Sequence, residues 1–129
     1  MDVTTVDTNI ILRIILKDNP DMEKEVINFI KINDILIRNE VLAEVIYVLS
    51  KSYNISRQDV YVYVMKILKL KRARTESNDV ILLALETFKD KSLDFVDCLL
   101  YAYNKISGCE IYTFDKKLNK LLNKTEEYI

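Results

Sequence analysis

Residues 2–16 read DVTTVDTNIILRIIL, and this stretch decides the fold class. It begins with a short β-branched run that predicts a strand over Asp2–Val6. Asp7 follows directly, and polar residues of this kind favour the start of a helix. The apolar run Ile10–Leu16 then predicts the first helix. Because short strands and helices alternate in this way along the chain, we predict an α/β fold with a small parallel sheet.

The remaining elements follow from hydrophobic periodicity and from capping residues. Two more strands are predicted over Asp34–Ile37 and Glu110–Thr113. Six more helices are predicted over Asp21–Ile32, 40–52, Arg57–Leu70, Asn78–Phe88, Phe95–Ile106 and Lys116–Leu122. Asn39 and Ser56 are expected to be N-caps, and Gly108 is expected to end the helix before it. Residues 71–77 could form either a short strand or only a turn, and the sequence pattern does not decide between the two.

The composition is that of an ordinary globular protein. The 129 residues, 50% hydrophobic and 30% charged, suit a single domain over residues 1–129. Cys98 and Cys109 lie in separate apolar segments, which favours a reduced, cytoplasmic protein. The chain shows no signal-peptide pattern and no long apolar run, so we expect neither export nor a membrane span. With a net charge of −1, any binding of nucleic acid must use a local patch.

Two absences narrow the possible chemistry. The chain has no histidine, which excludes histidine acid–base catalysis and every zinc site that contains histidine. It has one glycine, Gly108, which excludes the glycine-rich loops that hold phosphates and dinucleotides. An enzyme of this composition must therefore use carboxylates, lysine, tyrosine, serine or threonine.

Four acidic residues are predicted to lie at the edge of the sheet where α/β proteins bind their ligands. Asp7 follows the first predicted strand and Asp115 follows the last, so both are expected at the carboxyl edge of the sheet. Glu44 borders the apolar stripe of its helix, about one turn from the start. Asp97 lies in the first turn of a helix that is apolar almost all round. We predict that these four carboxylates face one crevice.

Each of these acids has a structural alternative when it is taken singly. Asp7 and Asp115 suit helix N-caps, and Glu44 could reach solvent at the edge of its stripe. Asp97, with Asp94 as the cap, could serve the dipole of its helix. The prediction therefore rests on the shared edge and not on any single acid.

Four carboxylates at one point need a cation to stay ionised. Hard oxygen ligands select Mg²⁺ or Mn²⁺ over zinc, and such ions can activate water for cleavage of a phosphodiester. Without histidine, routes of phosphodiester cleavage that depend on a histidine acid–base pair are less favourable. We therefore expect hydrolysis by water that leaves a 5′-phosphate and a 3′-hydroxyl.

The segments that carry these acids resemble the four acidic motifs of PIN domains. In this chain they are VDTN at 6–9, VLAEV at 41–45, DFVDCL at 94–99 and YTFD at 112–115. Their order and spacing are similar to those of VapC-type toxin ribonucleases of toxin–antitoxin modules. The resemblance covers nearly the whole chain. Cys98 departs from it, since the family usually has alanine at this position.

The resemblance implies a three-layer α/β/α sandwich and a Mg²⁺- or Mn²⁺-dependent endoribonuclease. The metal-binding and catalytic positions match Asp7, Glu44, Asp97 and Asp115. Thr113 matches a hydroxyl position near the metal, and Asn9 matches an accessory polar position. The resemblance also implies a homodimer, and a cognate antitoxin that covers the site.

Two further groups of residues are open to two interpretations each. A basic cluster could hold an RNA backbone or could form a solvated helix end. Its members are Lys66, Lys69, Lys71, Arg72 and Arg74. Four tyrosines could stack on bases, or pack in the core or a dimer interface. They are Tyr47, Tyr53, Tyr61 and Tyr63.

Two alternatives to this function remain. One is a non-catalytic PIN-like module that binds RNA or an antitoxin. The other is a Mg²⁺-dependent phosphohydrolase of another doubly wound family, such as a haloacid-dehalogenase-like phosphatase. That chemistry needs a second aspartate two residues after the first, where this chain has Asn9. A receiver-type phosphorylation domain would need adjacent acids near the end of the first strand, and the chain lacks these as well.

Overall fold

A computed structural model of the protein describes residues 2–122. The chain divides into two compact units, the first ending at Glu76 and the second beginning at Ser77. Among the described residues there are three strands and seven α-helices, which confirms the predicted α/β class. None of these helices combines the length and the apolar character that a membrane crossing needs.

The first unit contains all three strands found among the described residues. Its strands are β1 (Thr4–Thr5), β2 (Ile35–Ile37) and β3 (Ala73–Thr75). Its helices are α1 (Thr8–Leu16), α2 (Pro20–Ile32), α3 (Asn39–Tyr47) and α4 (Arg57–Leu68), with a π-helical turn over Val48–Ser52 that continues α3. The strands lie in the order β1-β2-β3 and are all parallel, as predicted. Helices connect consecutive strands, because parallel neighbours cannot be joined by a tight turn.

The register of the sheet is set by a few backbone hydrogen bonds. Val6 N donates to Leu36 O at 3.1 Å, and Ile35 N donates to the carbonyl of Arg72 at 2.9 Å. The central strand is buried at Ile35 and Ile37, as expected for a strand covered on its faces. Residues 71–77, for which the sequence left a strand or a turn undecided, contain the strand β3. This strand forms despite its polar sequence because Ile35 and Ile37 pair with it.

The second unit is helical in its described part. It contains α5 (Asn78–Asp90), α6 (Phe95–Ser107) and α7 (Lys116–Leu121). Gly108 ends α6 in the left-handed conformation, with φ of 72°, as the sequence predicts. The predicted strand Glu110–Thr113 is wrong, since residues 108–115 form no regular element. A strand requires a repeated ladder of backbone hydrogen bonds with a neighbouring strand, and a β-type sequence pattern alone does not form one.

Three further predictions need correction. Asn39 is not an N-cap: Arg38 occupies that position and makes no capping hydrogen bond with its side chain. The helix predicted over 40–52 changes to π-helical geometry after Tyr47. The helix predicted to reach Leu70 ends at Leu68, because a turn must precede the short strand β3. In contrast, Ser56 caps α4 as predicted and accepts a hydrogen bond from Asp59 N at 3.1 Å.

Candidate active site

In the first unit, three polar residues lie at the carboxyl edge of the sheet. Asp7 comes just after β1, Arg38 directly follows β2 and Glu76 directly follows β3. Parallel strands end at the same edge, and ligands of α/β proteins bind at this edge. Of these three residues, the sequence pattern predicted only Asp7.

Asp7 caps the first helix. It is exposed, and its Oδ1 accepts a hydrogen bond from Ile10 N at 3.2 Å. The structural alternative for this residue is therefore confirmed. Capping uses one carboxylate oxygen, and the second makes no hydrogen bond to any residue within 2–122. A capping role and a metal-binding role are thus compatible at Asp7.

Glu44 is held next to the start of α1. It lies on α3 and is exposed, and its carboxylate accepts a hydrogen bond from the hydroxyl of Thr8. Thr8 is the first residue of α1 and directly follows Asp7. The first unit therefore brings two of the four predicted acids to one helix terminus. Sequence periodicity placed Glu44 at the edge of an apolar stripe and gave no sign of Thr8 as its partner.

The helix that carries Glu44 is capped by Glu76, a residue that directly follows β3. Glu76 Oε1 accepts a hydrogen bond from Asn39 N, the first amide of α3, at 2.6 Å. Arg38 lies between Glu76 and Glu40, at 3.9 Å and 3.8 Å from their carboxylate oxygens. Glu76 thus fixes the start of α3 from the end of β3. This role of Glu76 was not predicted from the sequence, because the strand that precedes Glu76 was not predicted with certainty either.

The second unit groups three carboxylates. Asp97 is half-buried in the first turn of α6. Burial raises the pKa of Asp97 above its usual range, and the nearby carboxylates of Asp115 and Asp94 raise it further. Asp97 and Asp115, two of the predicted acids, therefore interact within this unit. Asp94 occupies the N-cap position of α6, as expected, although its side chain makes no capping hydrogen bond.

Asp115 is held by the residues on either side of it. Its Oδ1 accepts a hydrogen bond from Leu118 N at 2.8 Å, so it caps α7. Its own amide donates to Thr113 Oγ1 at 3.0 Å. Asn119 Nδ2 in turn donates to the carbonyl of Thr113 at 2.8 Å. The predicted accessory residue Thr113 therefore orients the backbone at Asp115.

Both units fall within one known protein family. A profile described as PIN domain matches residues 4–123, which is nearly the whole chain and covers most of both units. The chain belongs to the PIN domain family. No curated protein and no solved structure matches it. PIN domains are generally nucleases that use divalent metal ions, so the match sets aside the phosphatase and receiver alternatives.

The acids of this PIN domain suit a hard cation. All candidate ligands are carboxylates, and the chain has no histidine, which favours Mg²⁺ or Mn²⁺ over zinc. Like-charge repulsion at Asp97 is the kind of strain that a divalent cation relieves. Among residues 2–122, which the structure describes, no three acidic or cysteine side chains lie together as a metal-binding group.

The basic cluster of the PIN domain is partly engaged in structural contacts. Arg72 and Arg74 donate to the two carboxylate oxygens of Asp34, at 3.1 Å and 3.3 Å. Asp34 directly precedes β2, so these pairs lie at the amino edge of the sheet, opposite Asp7. The three lysines of the cluster, Lys66, Lys69 and Lys71, are exposed. Asn9, the other accessory position, is also exposed on α1.

Proposed function

We propose that this PIN domain is a metal-dependent endoribonuclease that hydrolyses RNA phosphodiesters. The observation that carries the proposal is the match of residues 4–123 to the PIN domain family, whose members are generally nucleases. The raised pKa of Asp97, caused by burial and by the nearby carboxylates of Asp115 and Asp94, is consistent with it. The proposed ligands of Mg²⁺ or Mn²⁺ are Asp7, Glu44, Asp97 and Asp115. When bound, the ion would supply an activated water and would offset the charge that develops on the phosphate.

The chain's own residues orient this ligand set. The Thr8 hydroxyl holds the Glu44 carboxylate, and Ile10 N holds one oxygen of Asp7. Thr113 sets the backbone of Asp115. Such outer contacts fix ligand orientation and limit the conformations that the free site can adopt. In the absence of histidine, hydrolysis by water is favoured, with 5′-phosphate and 3′-hydroxyl products.

The wider biological role is proposed on the resemblance in the four acidic motifs. The proposed role is that of a cytoplasmic, VapC-type toxin that acts as a homodimer. In this proposal residues 1–129 are one PIN domain, and a cognate antitoxin covers the site. The exposed lysines Lys66, Lys69 and Lys71 are candidates to contact the RNA backbone. The alternative is a PIN-like module that binds RNA or an antitoxin without cleaving it.

The test is cleavage of RNA by the purified protein, followed by analysis of the product ends. We expect cleavage with Mn²⁺ or Mg²⁺, none in EDTA, and 5′-phosphate ends. Asp97→Asn should lower the rate by about 100-fold or more, because it removes a proposed ligand. Asp79→Asn is the matched control, since Asp79 is an exposed acid in the first turn of α5.

The outcomes separate the proposal from its alternative. A 2′,3′-cyclic phosphate product, or cleavage that persists in EDTA and in Asp97→Asn, would contradict the hydrolytic mechanism. RNA binding without cleavage under any divalent ion would favour the non-catalytic module. Equal losses of activity in Asp97→Asn and Asp79→Asn would mean that the charge at Asp97 has no special role.

A further inference from the structure

Asp115 ends a segment that no strand ladder holds in place. Residues 108–115 form no regular element, so their backbone is not fixed by pairing with a neighbouring strand. Two asparagine side chains bond to this backbone instead: Asn104 from α6 and Asn119 from α7. The segment and both asparagines belong to the second unit, so these contacts are internal to it.

Asn104 holds the start of the segment. Its Nδ2 donates a hydrogen bond to the carbonyl of Cys109 at 2.9 Å. The amide of Cys109 donates to the carbonyl of Tyr103 at 3.3 Å. Both backbone polar groups of Cys109 are therefore bonded to α6, directly after the helix ends at Gly108.

Asn119 holds the end of the segment at two points. Its Nδ2 donates to the carbonyl of Thr113 at 2.8 Å, a short bond for an amide and a carbonyl. Its backbone amide donates to the carbonyl of Asp115 at 3.0 Å. Together with the bond from the amide of Asp115 to Thr113 Oγ1, these contacts close a ring that links Thr113, Asp115 and Asn119.

The ring leaves the Asp115 carboxylate with one oxygen bonded and one available. Oδ1 accepts from Leu118 N at 2.8 Å, and Leu118 is fully buried. Oδ2 makes no hydrogen bond to any residue within 2–122. Because the backbone of Asp115 is bonded on both sides, the direction of this second oxygen depends on the ring.

The structure of α7 does not by itself require asparagine at position 119. Asn119 lies inside α7, where asparagine is a weaker helix former than leucine or glutamine. An uncharged amide donates to the Thr113 carbonyl without adding charge beside the acids. An aspartate of the same size would lack the donor and would place another negative charge near Asp115.

We propose that Asn119 is a positioning residue for Asp115, and that Asn104 supports it by fixing the opposite end of the segment. The inference rests on the proposed function, in which Asp115 is a metal ligand. The Asn119 side chain fixes Thr113, and Thr113 in turn fixes the amide of Asp115. Asn119 thereby directs Asp115 Oδ2 to the cation without contacting the cation itself.

The first experiment measures the position of Asp115 without metal or RNA. Amide hydrogen exchange is followed by NMR in EDTA for the wild type, Asn119→Leu, Asn119→Gln and Asn104→Leu. Leucine is close to asparagine in size and has no donor, whereas glutamine keeps the amide. Asn28→Leu, at an exposed asparagine of α2 in the first unit, is the matched control.

Exchange of the Asp115 and Leu118 amides should be about fivefold faster in Asn119→Leu, as expected for loss of one hydrogen bond. The amide of Leu85, buried in α5, should be unchanged, which shows that the fold is retained. Asn104→Leu should have a smaller effect at Leu118, and Asn119→Gln should restore most of the protection. Unchanged exchange at Asp115 and Leu118 in Asn119→Leu would overturn the inference. Equal effects of Asn104→Leu and Asn119→Leu would also overturn it, because general loosening of the segment would then be the cause.

The second experiment measures Mn²⁺ affinity by electron paramagnetic resonance in the same variants. Asn119→Leu should weaken Mn²⁺ binding by about tenfold, as for other residues that orient a metal ligand, and Asn119→Gln should recover most of it. Asn28→Leu should bind as the wild type does. Faster exchange with unchanged affinity, or a glutamine variant no better than leucine, would refute the positioning role and leave the nuclease intact. Faster exchange at Leu118 in a protein that binds no Mn²⁺ even as wild type would support the positioning of Asp115 and refute the proposed function instead.

Discussion

The hydroxyl of Thr8 donates a hydrogen bond to the carboxylate of Glu44, which ties the start of α1 to the middle of α3. Asp7, the residue before Thr8, caps the same helix terminus. Two acids from separate motifs are therefore linked through one threonine in the first unit. This link makes Thr8 a positioning residue for the proposed metal site.

Replacing the Thr8 hydroxyl should impair activity more than stability. Thr8→Val keeps the shape of the side chain and removes the hydrogen-bond donor. RNA cleavage should therefore fall by about tenfold, as it does when other residues that orient a metal ligand are replaced. The free energy of unfolding should change by about 1 kcal/mol or less, because the bond is near solvent. Thr8→Ser retains the donor and should restore activity. Equal activity in the valine and serine variants would show that the bond has no function.

Neutralising Asp97 should not destabilise the metal-free protein. The folded-state pKa of Asp97 is raised, so the folded protein holds this proton more tightly than the unfolded chain. The contribution of Asp97 to stability is therefore present below the unfolded pKa and is lost as pH rises through the folded pKa. In EDTA at neutral pH, Asp97→Asn should have a Tm equal to or above that of the wild type.

The pH dependence provides the control for this prediction. The wild type should lose stability across the acidic window that starts near the ordinary value of 3.8, and Asp97→Asn should lack that component. Thermal unfolding of both proteins from strongly acidic to neutral pH measures the difference. A lower Tm for Asp97→Asn at neutral pH would indicate that its carboxylate serves the helix terminus instead.

Removal of the Glu76 carboxylate should weaken the start of α3. Its Oε1 is the acceptor for Asn39 N, and loss of a helix cap costs about 0.5–2 kcal/mol. We expect Glu76→Ala to lower the free energy of unfolding by about 1 kcal/mol and Glu76→Gln, which keeps an acceptor, to lower it less. Glu110→Ala, at an exposed acid outside the helices, is the control. Chemical denaturation that ranks Glu110→Ala with Glu76→Ala would disprove the capping role.

The protein should bind Mn²⁺ with a Kd between roughly millimolar and micromolar, as carboxylate sites for hard cations do. Electron paramagnetic resonance of free Mn²⁺ measures this without any RNA. Asp97→Asn should weaken binding by about tenfold or more. Mn²⁺ should also raise the Tm, since a ligand at 100 times its Kd stabilises the folded state by about 2.7 kcal/mol. An absence of Mn²⁺ binding at neutral pH, or tight and specific zinc binding, would refute the proposed ligand set.

Self-association should depend on the exposed tyrosines of the first unit. Tyr47, Tyr53 and Tyr63 are 63%, 50% and 37% exposed, so core packing is not their role. If they line the proposed homodimer, Tyr47→Lys with Tyr63→Lys should shift the protein to a monomer in sedimentation velocity at micromolar concentration. Phe29→Lys, at an exposed position of α2, is the control. A monomeric wild type would contradict the proposed dimer.

Local sequence patterns were sufficient to predict the positions of most of the helices and the residues of part of the proposed site. Periodicity placed the helices to within a few residues, and Asp7, Ser56 and Gly108 end or begin them as predicted. The absence of histidine by itself directed the chemistry to carboxylates. These features were predictable because caps, helical stripes and composition depend on neighbouring residues alone.

Only the tertiary structure decided the features that depend on a partner distant in sequence. The polar segment Ala73–Thr75 is a strand because β2 pairs with it, whereas Glu110–Thr113, which was predicted to be a strand, has no regular secondary structure in the described chain. Glu76 accepts from the first amide of α3, at Asn39, although the two residues are 37 positions apart. Hydrogen bonds and ion pairs of this kind form between groups that folding brings together, so spacing along the chain determines the helices and tertiary contact determines their partners.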